Sequence, residues 1–169
     1  MSHAKLFLIV LKGAIGQNVP MRLALYQPEI PENTAALMRL AACLAAELHL
    51  IEPLGFALNT KKMRRIGMDY AALVTIERHV SFDAFLQTLP ESGRLVLATT
   101  KAHKPYWSHT WGPNDILLLG QESAGVPQSV HDRAQVRLTI PMANSARSLN
   151  LASAATLICS DWYRQKALP

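Results

Sequence analysis

Three polar loops carry the residues that could do chemistry in this 169-residue chain. The first reads Gly120-Gln-Glu122-Ser-Ala-Gly125-Val-Pro127 and follows the apolar run 116–119. Its two glycines permit close backbone approach to a ligand, and open α/β sheets bind ligands at the carboxyl ends of their strands. The loop lacks the Gly-Lys-Ser/Thr of a P-loop and the GxGxxG dinucleotide spacing. A tight connection whose glycines only relieve strain explains the spacing equally well. The second loop runs Ile140-Pro-Met-Ala-Asn-Ser-Ala-Arg147-Ser148-Leu-Asn150-Leu. Ser148 suits a helix N-cap, whereas Arg147 and Asn150 beside it suit phosphate and ribose contacts. The third is Pro28-Glu-Ile-Pro31-Glu-Asn33-Thr34, followed by Arg39. Asn33 or Thr34 could cap the helix that follows. Arg39 is either an amphipathic arginine at a helix edge or a guanidinium placed near an anionic substrate.

The densest basic cluster is Lys61, Lys62, Arg64 and Arg65. A charge run is most often a solvated helix face; with a nucleic-acid substrate it becomes a phosphate platform. Lys101 and Lys104, near Tyr106 and Trp107, could extend such a platform by stacking on unpaired bases. The six histidines (His3, His49, His79, His103, His109, His131) show no HxxxH or HxH pairing with cysteine. No metal site is expected from that spacing, and surface positions are the simpler reading for them.

These loops need a scaffold, and the pattern supplies one. Residues 22–26, 48–51, 73–76, 94–99, 116–119 and 136–140 read as strands. Residues 32–46, rich in Ala and Leu, read as a helix with Leu37, Leu40, Ala41 and Leu44 on one face. Residues 61–66 read as a basic helical turn, and 81–88 as a short helix with Ser81 as N-cap. The last helix is 149–165, with Leu151, Ala154, Ala155, Ile158 and Trp162 as its apolar stripe. Strands alternate with helices, and several strands are continuous apolar runs. Both facts predict an α/β fold, a mostly parallel sheet flanked by helices.

Composition narrows the classes. Half the residues are apolar and 17% are charged, which fits a folded globular chain rather than a disordered basic tail. The length fits one domain. No apolar run approaches the roughly 20 residues of a membrane-spanning helix. Cys43 and Cys159 give neither a metal spacing nor a disulfide framework, so a reducing cytosol is the expected compartment. The net charge of +5 suggests an acidic partner, nucleic acid first. Residues 1–20 stand apart and read as an N-terminal extension to a domain at 21–169. Their apolar stretch, 6–11, is short for a signal peptide, and no convincing cleavage site follows.

An ordered series of motifs now comes into view: Pro28-Glu29-Ile30-Pro31-x-Asn33-Thr34 with Arg39, Ile51-Glu52-Pro53-Leu54-Gly55-Phe56, and Lys62-x-x-Arg65-x-Gly67-x-Asp69-Tyr70. It continues with Gly120-x-Glu122-x-x-Gly125-x-Pro127 and with Ile140-Pro141-Met142 through Ser148-Leu149-Asn150-Leu151. Together these resemble the SPOUT superfamily of RNA methyltransferases. Within it they look most like the small TrmL-type 2′-O-methyltransferases that act on the wobble nucleotide of tRNA, position 34. The series covers nearly all of 21–169, and its specificity lies in the ordered set. Two departures stand out. Ala35-Ala36 replaces a frequent Gly-Asn, and Asn144-Ser145-Ala146-Arg147-Ser148 replaces a frequent Pro-Asp-Ser-Arg-Ser.

The resemblance implies a SPOUT fold with a C-terminal trefoil knot, a homodimer, and S-adenosyl-L-methionine as methyl donor. It implies donor contacts at Ala98, Thr99, Gly120, Glu122, Ile140, Ser148 and Leu149. Asn33, Arg39, Glu122, Ser148 and Asn150 carry over as catalytic or RNA-side residues, with Lys61, Lys62, Arg64, Arg65 and Arg147 toward RNA. The implied partner is the tRNA anticodon stem-loop, in the cytoplasm and without a membrane. A sulfonium is already a good leaving group, so the tasks are alignment and removal of the hydroxyl proton, and no metal is required. A guanidinium is a poor base. Arg39 is therefore read as binding the phosphate beside the target ribose and polarising its 2′-hydroxyl. Glu122 is read chiefly as a support for its loop. Two other readings stand beside this one: the same chemistry on another RNA, and a non-catalytic RNA-binding module of the same fold.

Overall fold

A computed structural model describes residues 20–58, 73–143 and 148–167. The strands are β1 (Arg22–Tyr26), β2 (Glu47–Ile51), β3 (Thr75–His79), β4 (Leu95–Ala98), β5 (Ile116–Leu119) and β6 (Val136–Leu138). The α-helices are α1 (Pro31–Cys43), α2 (Phe82–Leu86), α3 (Gln128–Arg133) and α4 (Leu151–Ala167), with a 3₁₀ turn at Tyr106–Ser108. The strands form one sheet in the order β3-β2-β1-β5-β4-β6. Every pairing among them is parallel, as the apolar runs predicted.

Alternation along the strands divides the core in two. Leu23, Leu25, Leu48, Leu50, Leu117 and Leu119 face α1 and α4, packing with Leu37, Ala41, Ile158 and Trp162. Ala24, Leu95, Leu97, Ile116 and Leu118 face the other way, against Phe85 of α2 and Val130 of α3. Burying one such Leu, Ile or Phe side chain stabilises the fold by about 1.5–3 kcal/mol, so both faces must be covered.

The element boundaries correct the sequence reading in instructive ways. α1 ends at Cys43 rather than at residue 46. Ala45 has φ 49°, and the Ala46 amide donates to the Ala41 carbonyl at 2.8 Å. This is a left-handed helix stop, normally signalled by glycine and here made by alanine. β3 lies at Thr75–His79 rather than 73–76, because pairing with β2 selects a polar segment at the sheet edge. β6 stops at Leu138, and α3 had no sequence signal beyond the Pro127 before it. α4 starts at Leu151 rather than 149 and runs to Ala167. Ser81 caps α2 as predicted, its Oγ accepting from the Ala84 amide at 3.1 Å.

The expected extension lies outside the described residues except for Pro20, as does the basic turn 61–66. The knot depends on the path through 144–147, which also lies outside them. The described helices contain none long and apolar enough to cross a membrane.

Candidate functional site

β1 lies between β2 and β5, so the chain order reverses beside it. Crevices at such points, outside the strands' carboxyl ends, are where α/β sheets hold ligands. A cavity of about 510 Å³ opens there, within the usual size of small-molecule sites. Its floor includes Leu97 and Ala98 of β4, Leu119 of β5 and Leu138 of β6. All seven residues carried over as donor contacts (Ala98, Thr99, Gly120, Glu122, Ile140, Ser148, Leu149) line this one cavity. Asn33 and Asn150 line it too.

The β5 loop is tightly folded. The Gln121 amide donates to the Gly125 carbonyl at 2.8 Å, and the Gly125 amide returns a bond to Gln121 at 2.9 Å. Gly125 has φ 71°, which favours glycine. A Cβ on Gly120 would stand 2.5 Å from the Gly125 carbonyl carbon. The strain-relief reading is therefore true of these glycines, and it builds the cavity wall rather than competing with a ligand role.

Polar side chains tie this loop to the other two. Glu122 Oε1 accepts from Asn33 Nδ2 at 3.0 Å, and Glu122 Oε2 accepts from the Glu29 amide at 2.9 Å. Glu29 reciprocates: its carboxylate accepts from the Ser123 amide at 2.9 Å and from Ser123 Oγ at 2.8 Å. Asn33 Oδ1 in turn accepts from Asn150 Nδ2 at 2.7 Å. Asn150 Oδ1 accepts from the Ala152 amide at 2.9 Å and the Ser153 amide at 3.3 Å.

Two capping expectations are thus corrected. α1 has Ile30 as its N-cap with no side-chain cap bond and Pro31 in the first turn, which suits proline. Asn33 is buried and bonds across the site instead. Asn150, not Ser148, caps α4, because the first intrahelical bond runs from the Ala154 amide to the Asn150 carbonyl.

Arg39 lies on an exposed position of α1 and is not among the cavity-lining residues. Arg147, Lys61, Lys62, Arg64 and Arg65 lie outside the described residues. Lys101 lines the cavity. Trp107 is 54% exposed beside Tyr106, on a turn fixed to the end of β6 where the Tyr106 amide meets the Thr139 carbonyl at 2.9 Å.

Sequence reasoning gave no role to Glu29, Gln27 or His131. Gln121 Nε2 donates to Gln27 Oε1 at 3.1 Å, a second clasp between the β1 and β5 loops. His131 is buried and lines the cavity, and burial lowers its pKa. Glu29 sits inside a quoted motif, but only the fold brings it to Ser123. His49, His79 and His109 are also buried, which overturns their surface reading. His109 contacts Asp115 at 3.1 Å, and Arg94 donates to the same carboxylate at 2.8 and 2.6 Å. Cys43 is exposed and Cys159 buried, both free; burial pushes the Cys159 thiol up to about 12.

The model of the SpoU rRNA Methylase family matches residues 20–160. A tRNA (cytidine(34)-2′-O)-methyltransferase from Beijerinckia indica is 51% identical over 144 residues, 85% of this chain and 90% of that one. A solved structure described as giving insight into 2′-OH methylation of C/U34 on tRNA superposes with TM-score 0.83 at 41% identity. That match covers 87% of this chain and 96% of the other. An AdoMet-bound rRNA methyltransferase from Sinorhizobium meliloti superposes with TM-score 0.80 at 23% identity, over 88% of this chain and 57% of that one. At that identity the likeness concerns the fold. With the family model spanning both β1 and most of α4, and the cavity formed where the chain order reverses, the chain belongs to the SpoU methylase family.

Proposed function

We propose that this chain transfers a methyl group from S-adenosyl-L-methionine to the ribose 2′-hydroxyl of the wobble nucleotide, position 34, of tRNA. One observation carries the donor assignment: loops after β4, β5 and β6 converge on a single cavity that holds every expected donor contact. The cavity fits the donor in size and chemistry. Apolar strand ends offer a surface for a flat base, and Gly120 leaves backbone where a Cβ would collide. When bound, S-adenosyl-L-methionine supplies the electrophilic methyl group. Ala98, Thr99, Gly120, Ile140 and Leu149 hold it, largely through backbone groups.

Glu122 and Asn33 lock the β5 loop to α1, and Asn150 locks both to α4. Ser148 and Asn150 position the ribose at the cavity mouth. Arg39 binds the phosphate next to the reacting ribose and polarises the hydroxyl. Lys61, Lys62, Arg64, Arg65 and Arg147 bind the anticodon stem-loop, and Trp107 offers a ring for an unpaired base. The similarity to the C/U34 structure supports this substrate. The active form is a homodimer in the cytoplasm. Leu157, 40% exposed on α4, provides apolar surface for that interface.

Mass spectrometry of tRNA nucleosides from a deletion strain tests the reading. Loss of 2′-O-methylcytidine, or of a 2′-O-methyluridine derivative, at position 34 is the expected result. An unchanged wobble ribose overturns the substrate assignment.

A further inference from the structure

Parallel pairing of β2 and β3 sets His49 opposite Glu77, with His79 two positions further along β3. All three side chains therefore project from one face of the sheet. His49 Nδ1 and His79 Nε2 share a hydrogen bond of 3.0 Å, which an ion between them replaces, and Glu77 Oε2 lies 3.5 Å from His49 Nδ1. The three donor atoms fall within 4.8 Å of one another. Four-coordinate zinc with bonds of about 2.1 Å places neighbouring ligand atoms at comparable separations. Both imidazoles are buried, at 6% and 5% exposure, while Glu77 opens to solvent and gives an ion a way in.

Two surrounding features fit the same use. Phe85 packs edge-on against both rings, with centroids at 5.6 and 5.2 Å, and shields them on the apolar side. His49 Nε2 is buried without a hydrogen-bond partner, and a Glu47 oxygen lies 3.9 Å away. Histidines that bind a metal through one nitrogen usually present the other to a carboxylate or carbonyl. A metal on Nδ1 fixes the tautomer with the proton on Nε2, facing Glu47.

We propose that His49, His79 and Glu77 bind a divalent transition-metal ion of the zinc class, with water completing the coordination. The site lies across β2 and β3, and none of its residues lines the donor cavity. Its role is structural: it ties the edge strand β3, whose central residues are largely polar, to the buried strand β2. Linear spacing hid the group, because strand pairing alone brings residues 49, 77 and 79 together.

Titration of the full chain with Co²⁺, read by visible absorption, tests the site. The expected result is a saturable d–d spectrum at one equivalent per chain, displaced by Zn²⁺. Glu77→Gln, at an exposed position, keeps the fold by circular dichroism and weakens the ion by at least the roughly 10- to 100-fold that loss of an outer partner costs. At the same concentration, added Zn²⁺ raises the melting temperature of the parent chain more than that of the variant. Absence of a saturable spectrum overturns the proposal. Equal Co²⁺ affinity in the parent and in Glu77→Gln overturns it as well, since it marks ion binding elsewhere.

Discussion

Asn33 and Glu122, 89 positions apart in the chain, share a hydrogen bond of 3.0 Å at the edge of the cavity. Asn33 spends its two polar atoms on two partners, donating to Glu122 and accepting from Asn150. Its amide does both at once, whereas a carboxylate cannot donate and an ammonium cannot accept. Asn33→Asp sets two carboxylates against each other. It should lower stability by about 2–3 kcal/mol, in the range for a lost hydrogen bond to a charged group. Isothermal titration with S-adenosyl-L-methionine should show weakened binding as the β5 loop comes away from α1. Unchanged affinity and unchanged melting would mean that the bond positions nothing.

Arg39 sits outside the donor cavity, which separates its effect from donor binding. Arg39→Lys keeps the charge and loses the planar fork that pairs with phosphate. Donor affinity should stay within about twofold of the parent, while methyl transfer to tRNA falls by roughly 100-fold or more, the order that misplacing a reacting group costs. A single-turnover assay with labelled donor reads both. Turnover at the parent rate would remove Arg39 from the reaction.

Gly120 and Gly125 should respond differently to the same substitution. In Gly120→Ala the new methyl meets the Gly125 backbone at 2.5 Å, so the loop must open and donor binding should be lost. In Gly125→Ala nothing lies within 4 Å, and the cost is the left-handed φ of 71°, about 1–2 kcal/mol. That variant should still bind the donor, more weakly. Matched affinities for the two would contradict the close approach seen at Gly120.

Asp115 anchors the segment before β5. Burial pushes its carboxyl upward, but hydrogen bonds from His109, Arg94 and the Gly112 amide outweigh this and hold it well below the usual carboxylate range. The folded value is depressed. Its stabilisation is therefore complete above the unfolded value, near ~3.9, and is lost as pH falls through the folded one. Asp115→Asn should cost about 3 kcal/mol at neutral pH, the low end for breaking a buried pair, since Arg94 remains 41% exposed. Melting temperatures measured from neutral to acid pH should begin to converge for parent and variant as pH falls below about 4. A constant gap across that range would show that Asp115 is not the titrating group.

The sheet was largely legible because its strands are apolar runs, and Ile116–Leu119 agrees residue for residue. β3 was misplaced because its Thr-Ile-Glu-Arg-His carries no such run; its partner strand, not its composition, makes it a strand. The ends of α1 and α4 were hidden for a related reason. Ala45 stops a helix where glycine would have announced it, and Asn150 caps one while Ser148 looked the part. The residues that line the cavity were legible as an ordered series of loops. The clasp of Glu29 on Ser123 was not, because a reciprocal bond between loops 94 positions apart has no local signature. The buried histidines show the same limit: His49 and His79 are 30 positions apart and pair only through the sheet.

Asn150 caps the last helix with one side-chain atom and holds Asn33 with the other. That dual use sets a time order for biogenesis. β1 and α1 leave the ribosome early and clasp the β5 loop through Glu29 and Asn33, yet Asn33 is itself held by Asn150, 117 positions further on. A nascent chain therefore has no finished cavity wall until Asn150 has been made. Fragments ending before α4 should carry no residual affinity for the donor. Contacts this distant in sequence also make the last docking step slow relative to local helix formation. The cavity is thus completed in a single step, when the segment that holds Asn150 and α4 docks.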